Sequence, residues 1–109
     1  MEALQLPRFG LEVRPDRARA VLAVSGELDI ATAPALREAL DELWQLGWSD
    51  VAIDASGISF IDSTGLGMLL SLSRAAVAAE GRRLTIARSC PALERLIAVS
   101  RLEEVLPRS

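Results

Sequence analysis

Apolar positions along this chain follow two rhythms, and each change of rhythm marks a new element. Leu11-Glu12-Val13-Arg14 alternates with period two and predicts an edge strand, after which Pro15-Asp16 turns the chain. Ala20-Val21-Leu22-Ala23-Val24 is a continuous apolar run, as expected of a strand covered on both faces, and Gly26 is expected to end it. From Thr32 the spacing changes. Leu36, Leu40 and Leu43, with Trp44 beside them, recur at three and four residues, while Arg37, Glu38, Asp41 and Glu42 take the other side. This predicts a helix capped by Thr32, with Pro34 in a first turn where a missing N–H costs little, and stopped at Gly47.

The second half repeats the alternation. Val51-Ala52-Ile53-Asp54 reads as a strand, Ser56-Gly57 as a turn, and Ile58-Ser59-Phe60-Ile61 as an extended lead back to the body. A helix is expected from near Ser63 to Gly81, then a third buried strand over Arg82–Ala87. Pro91 opens a further helix carrying Leu93, Leu96 and Ile97 on one face. Leu102 to Leu106 is either a last strand or an irregular tail. Strands alternating with helices call for an α/β fold, a mixed, mostly parallel sheet of βα units with helices packed on it. The expected organisation is one domain over 11–106, a lead-in at 1–10 punctuated by Pro7 and Gly10, and a tail at 107–109. No internal repeat, low-complexity tract or linker interrupts it.

Composition narrows the chemistry. A chain of 109 residues, 50% hydrophobic and 25% charged, suits one domain with a core of its own. The single cysteine, Cys90, excludes an internal disulfide and a multi-cysteine zinc site, and with no secretory signal visible it favours the cytoplasm. Apolar stretches are broken well before the about 18 residues of a membrane span, so no membrane insertion is expected. The net charge of −3 argues against a direct nucleic-acid binder. All 12 basic residues are Arg, and the chain has no His, Lys, Tyr or Asn. It therefore lacks the commonest general base, a phosphate-loop lysine, a Schiff-base lysine and any imidazole metal ligand. Neither a cofactor nor a metal is expected.

One hexapeptide stands out. Asp62-Ser63-Thr64-Gly65-Leu66-Gly67 lies where an extended segment becomes a helix, an edge at which ligands and partners of α/β sheets act. Ser63 is expected at the N-cap, its hydroxyl at the positive end of the helix. Gly65 and Gly67 remove side chains from the first turn, so another backbone or a phosphate can come close. A phosphate on Ser63 would add about −1.5 to −2 charge beside the Asp62 carboxylate, which the helix N–H groups tolerate and a partner fitted to a neutral hydroxyl does not. A plain capping serine and glycines for close helix packing are the simpler reading of the same residues.

Gly26-Glu27-Leu28-Asp29, about thirty residues before that hexapeptide, completes a paired signature that resembles STAS domains of the anti-sigma factor antagonist type. The similarity of layout runs from about Leu11 to Leu106. The resemblance implies phosphorylation of the serine after the aspartate, here Ser63, by a GHKL-type serine kinase that doubles as the anti-sigma factor. It implies that the unphosphorylated antagonist binds that anti-sigma factor and frees a sigma factor, and that a PP2C-type phosphatase restores the bound state. It further implies a partner-binding surface built from Glu27, Leu28, Asp29, Asp62, Ser63, Thr64, Gly65, Leu66 and Gly67. Arg101 stands where the family often has Gly, away from the switch.

Other features divide between core and contact surface. Leu66, Leu69, Leu70 and Val77 form one stripe of the Ser63 helix, which Met68, Leu72, Ala75 and Ala79 widen, leaving Ser71, Arg74 and Ala78 outside it. Either this helix is sandwiched between the sheet and a neighbouring helix, or Met68 and Leu72 belong to a docking patch. Trp44 and Trp48 fit a core edge better than a contact surface. Cys90 reads as a helix-start residue, and an Asp54–Asp62 acid–base or metal pair is disfavoured without an imidazole. Two other functions fit the chain less well. One is a STAS module with a structural job, as the small cytoplasmic subunit of a phospholipid ABC transporter or in a signalling scaffold. The other is an enzyme with Ser63 as nucleophile, for which no Gly-x-Ser-x-Gly elbow is present.

Overall fold

A computed structural model describes residues 9–100. Strand β1 (Phe9–Asp16) folds back on β2 (Arg19–Leu28), helix α1 (Ala33–Gln45) leads to β3 (Asp50–Ile61), and α2 (Ser63–Ala78) leads to β4 (Arg83–Arg88). Helix α3 (Pro91–Ser100) follows. The strands lie in the order β1-β2-β3-β4, with the first pair antiparallel and the other two parallel, the mixed, mostly parallel sheet the alternation predicts. The suggested element at Leu102–Leu106 and the Arg101 departure lie outside the described residues.

Alternation along β2 decides what each face does. Ala20, Leu22 and Val24 are buried and join Val51, Ile53 and Ile86 of the neighbouring strands under the helices. Leu36, Leu40 and Leu43 of α1, Leu66, Leu69 and Leu70 of α2, and Leu93 and Ile97 of α3 close the same cluster. Burying each such side chain contributes roughly 1.5–3 kcal/mol. Val21 and Ala23, pointing the other way, are only half-buried, so β2 is not sealed on both faces as its unbroken apolar run suggests. Trp44 and Trp48 pack on the core margin, and the Arg82 guanidinium lies over the Trp44 ring, 5.1 Å from its centroid.

Several boundaries differ from expectation, each for a local reason. The first turn falls on Arg17 and Ala18 rather than Pro15-Asp16, with Arg17 at φ 60° and Asp16 still paired to Arg19. Gly26 does not end β2. It sits inside the strand at φ 88°, where the register with β3 shifts, and lets the strand run on to Leu28. Ser56-Gly57 is not a turn either: β3 is one strand of twelve residues, and the extra residues are absorbed as bulges against β2. Helix α2 stops at Ala78, short of Gly81, and Val77 is 80% exposed, so it leaves the buried stripe while Leu69 and Leu70 keep it. Pro91 does open α3, and the Cys90 Sγ accepts the Leu93 N–H at 3.4 Å, the helix-start role expected of it.

On the face opposite the described helices, Asp54 ties the strands together. Arg14 reaches across the small side chains of β2 and donates from Nη2 to Asp54 Oδ2 at 3.1 Å. The Ser56 hydroxyl and N–H donate to Asp54 Oδ1 at 2.6 and 3.0 Å. Burial works against the charged carboxylate, but the Ser56 hydrogen bonds and the charges of Arg88 and Arg14 outweigh it and hold the Asp54 pKa below its ordinary 3.8. A depressed carboxylate stabilises the fold above its unfolded-state pKa, and that contribution fades as pH falls through the folded-state value. Asp54→Asn is therefore expected to lower stability at pH 7 by about 1–2 kcal/mol. In urea titrations at several pH values, the gap between variant and wild type should narrow as pH drops below 3.8.

Candidate functional site

The candidate site forms where the parallel strands β2 and β3 end side by side, Leu28 opposite Ile61. The loop after β2 holds itself together. The Asp29 Oδ1 accepts the N–H groups of Ala31 and Thr32 at 3.0 and 3.2 Å, and the Asp29 N–H donates to Thr32 Oγ1 at 2.9 Å. The Thr32 hydroxyl donates in turn to the Glu27 carbonyl at 2.7 Å. Thr32 is the N-cap residue of α1 as expected, yet its side chain serves this loop and makes no capping bond. The consequence lies at Ile30, which the closed turn pushes out to 74% exposure.

Across from it, Asp62 rather than Ser63 is the N-cap of α2. Its extended backbone (φ −107°, ψ −176°) aims Oδ1 at the Gly65 N–H, 2.8 Å away. Either residue type suits a cap. Asp62 takes the place because its own N–H is drawn to the Leu28 carbonyl at 3.4 Å, which fixes the end of β3 before the helix starts. Ser63 is thereby released. It is the first helical residue, exposed, and neither its hydroxyl nor that of the exposed Thr64 makes a hydrogen bond among the described residues.

The two glycines do different jobs. A Cβ on Gly65 would run into the Leu28 carbonyl oxygen and lie 2.9 Å from Ile61 Cγ1, so this glycine lets α2 sit directly on the ends of β2 and β3. A Cβ on Gly67 would meet nothing within 4 Å, leaving bare backbone facing outward.

The predicted surface residues therefore separate. Ser63, Thr64 and Gly67 are exposed, and Glu27, Asp29 and Asp62 are half-buried. Leu28, Gly65 and Leu66 are buried and support the site from below. Leu72 is buried and Met68 packs partly on the core, consistent with a helix held between the sheet and its neighbours. Asp54 and Asp62 do not pair: one is bound to Arg14 and Ser56, the other caps α2. No cluster of metal-ligating side chains occurs among the described residues, and no described helix is long and apolar enough to cross a membrane. Ile30, in the loop after β2, is an exposed apolar group that periodicity did not single out, and the 49% exposed Phe60 lines a shallow groove with Arg95, Leu96 and Val99 of α3. A large apolar side chain in the short turn Asp29-Ile30-Ala31-Thr32 is the available signal.

Known proteins are similar to this chain in sequence or in fold. The anti-sigma-B factor antagonist of Staphylococcus epidermidis is 42% identical over 52 residues, 48% of this chain and 48% of that protein. The chain thus matches about half the length of such curated relatives. An anti-sigma factor antagonist from Mycobacterium paratuberculosis superposes with a TM-score of 0.75 at 27% identity, covering 92% of this chain and 84% of that one. The Bacillus cell fate determinant SpoIIAA in its phosphorylated form superposes with a TM-score of 0.65 over 93% of this chain and 90% of that one. Its 24% identity speaks to the fold alone. The sequence profile of a family described as "Mlab, STAS domain" matches residues 11–107. That match takes in nearly every described element, and the chain belongs to the STAS domain family.

Proposed function

We propose that this protein is an anti-sigma factor antagonist. In its unphosphorylated form it binds an anti-sigma factor of the GHKL serine kinase type through the loops after β2 and β3, and so frees a sigma factor. Phosphorylation of Ser63 by that kinase ends the complex, and a PP2C-type phosphatase restores it. The observation that carries the reading is the division of labour at the start of α2: Asp62 caps the helix, so Ser63 is exposed and its hydroxyl makes no hydrogen bond among the described residues. The antagonist names of the Staphylococcus and Mycobacterium relatives point the same way.

Physical chemistry makes the step one-sided. Added phosphate keeps the Asp62–Gly65 cap and lies near the first-turn N–H groups, which favour an anion. For a bound partner the same group brings about −1.5 to −2 charge onto a surface that already carries Glu27, Asp29 and Asp62. Host stability is spared while the contact is lost.

Incubation with the cognate kinase and ATP should place a single phosphate on Ser63, read by mass spectrometry. Ser63→Ala should hold the anti-sigma factor permanently, and Ser63→Asp should bind it at least about tenfold more weakly, a loss of about 1.4 kcal/mol. Phosphate on another residue, or co-purification of transporter ATPase subunits in place of a kinase, would replace this reading with that of a structural STAS module.

The glycines supply a second test. Gly65→Ala should destabilise the fold by about 1–3 kcal/mol through the clash with Leu28. Gly67→Ala should raise stability by about 0.5–1 kcal/mol, since alanine suits a helix and nothing stands in its way, yet weaken partner binding. Ile30→Asp should leave the thermal midpoint nearly unchanged and lower affinity for the anti-sigma factor, as measured by calorimetry.

A further inference from the structure

On the face of the sheet opposite the described helices, all four strands contribute to a concave site away from the Ser63 loop. Arg14 from β1, Arg19 from β2 and Arg88 from β4 border a partly open cavity of about 360 Å³, with Asp54 of β3 among its walls and Val21 and Ala87 as apolar lining. We propose that this cavity binds a small phosphoryl anion, an organic phosphate of metabolite size, independently of the Ser63 loop.

The charge balance supports an anion. Asp54 engages one nitrogen of Arg14 at 3.1 Å, and Asp16 engages Arg19 Nε at 3.3 Å. Arg88 makes no hydrogen bond or ion pair among the described residues. Among the described lining residues two carboxylates thus face three guanidinium groups, which leaves one positive charge over, and most of the guanidinium N–H donors make no bond to described residues, since each group carries five. In a chain of net charge −3 this is an inversion of the overall sign. Asp54 does not cancel the site. It is itself anchored by Ser56 at 2.6 Å and draws one nitrogen of Arg14 across the sheet, leaving the other donors of that guanidinium facing the cavity opening. Planar guanidinium forks, of which Asp54 holds that of Arg14, suit phosphate oxygens, and the volume is that of a small-molecule site.

The phosphoryl chemistry is shared by soluble metabolites and by lipid headgroups, and the test separates them. The isotope-labelled full chain would be titrated with inorganic phosphate, pyrophosphate and glycerol 3-phosphate at constant ionic strength, following amide and arginine Nε–H resonances by NMR. Saturable shifts are expected at Ala87, Arg88 and the side chains of Arg14 and Arg19. Arg88→Gln, folded as judged by its spectrum, should bind at least tenfold more weakly, and Ser63→Ala should titrate like wild type. Shifts confined to Ser63–Gly65, equal shifts with chloride, or no loss in Arg88→Gln would overturn the proposal. In a parallel arm, sedimentation with phosphatidylglycerol but not phosphatidylcholine vesicles, without binding of any soluble phosphate, would overturn the metabolite and assign the cavity to a membrane headgroup.

Discussion

The close approach of the first turn of α2 to the end of β2 governs everything at the upper edge of this molecule. With no side chain at Gly65, the helix settles against the Leu28 carbonyl, and the Asp62 N–H bonds to that same oxygen. Two loops thirty-odd residues apart in sequence thereby become one surface. The contact is backbone to backbone, so it sets the relative position of Asp29, Ile30 and Ser63 without depending on side-chain rotamers.

That surface is built on an economy of hydrogen bonds. Asp29 and Thr32 satisfy one another and close their own loop, and Asp62 satisfies the helix start. Polar groups that serve structure are turned inward. The hydroxyls of Ser63 and Thr64 and the apolar side chain of Ile30 are exposed beside the half-buried Glu27, Asp29 and Asp62. An exposed hydroxyl beside an exposed apolar group is a pattern well suited to a protein partner, because burial of the one adds affinity and modification of the other removes it.

The helices were legible because their apolar spacing is driven by the core: Leu36, Leu40 and Leu43 fall where periodicity puts them, as do Leu93 and Ile97. The parallel sheet followed from the alternation of elements. Glycine was where reading failed. Gly26 and Gly57 look like stops in a linear sequence, yet both lie within strands, because register shifts between β2 and β3 take up the extra residues. Such bulges depend on a neighbouring strand and leave no mark on local pattern. The hexapeptide was visible as a strand-to-helix junction, but Asp62 and Ser63 are both good caps. Choosing between them needed the Leu28 carbonyl, which is distant in sequence. Val77 keeps its place on the stripe but sits one residue before α2 ends, where its side chain is left 80% exposed.

The aromatic pair occupies the far pole of the molecule. Trp44 and Trp48 flank the entry to β3, with Arg82 stacked on the first, whereas Ser63 follows the exit of that twelve-residue strand, roughly 35 Å away at about 3.3 Å per residue. Intrinsic tryptophan emission is accordingly a gauge of whether the body is folded and is blind to events at the hydroxyl. A single built-in chromophore class thus separates loss of structure from loss of signalling, with no label attached.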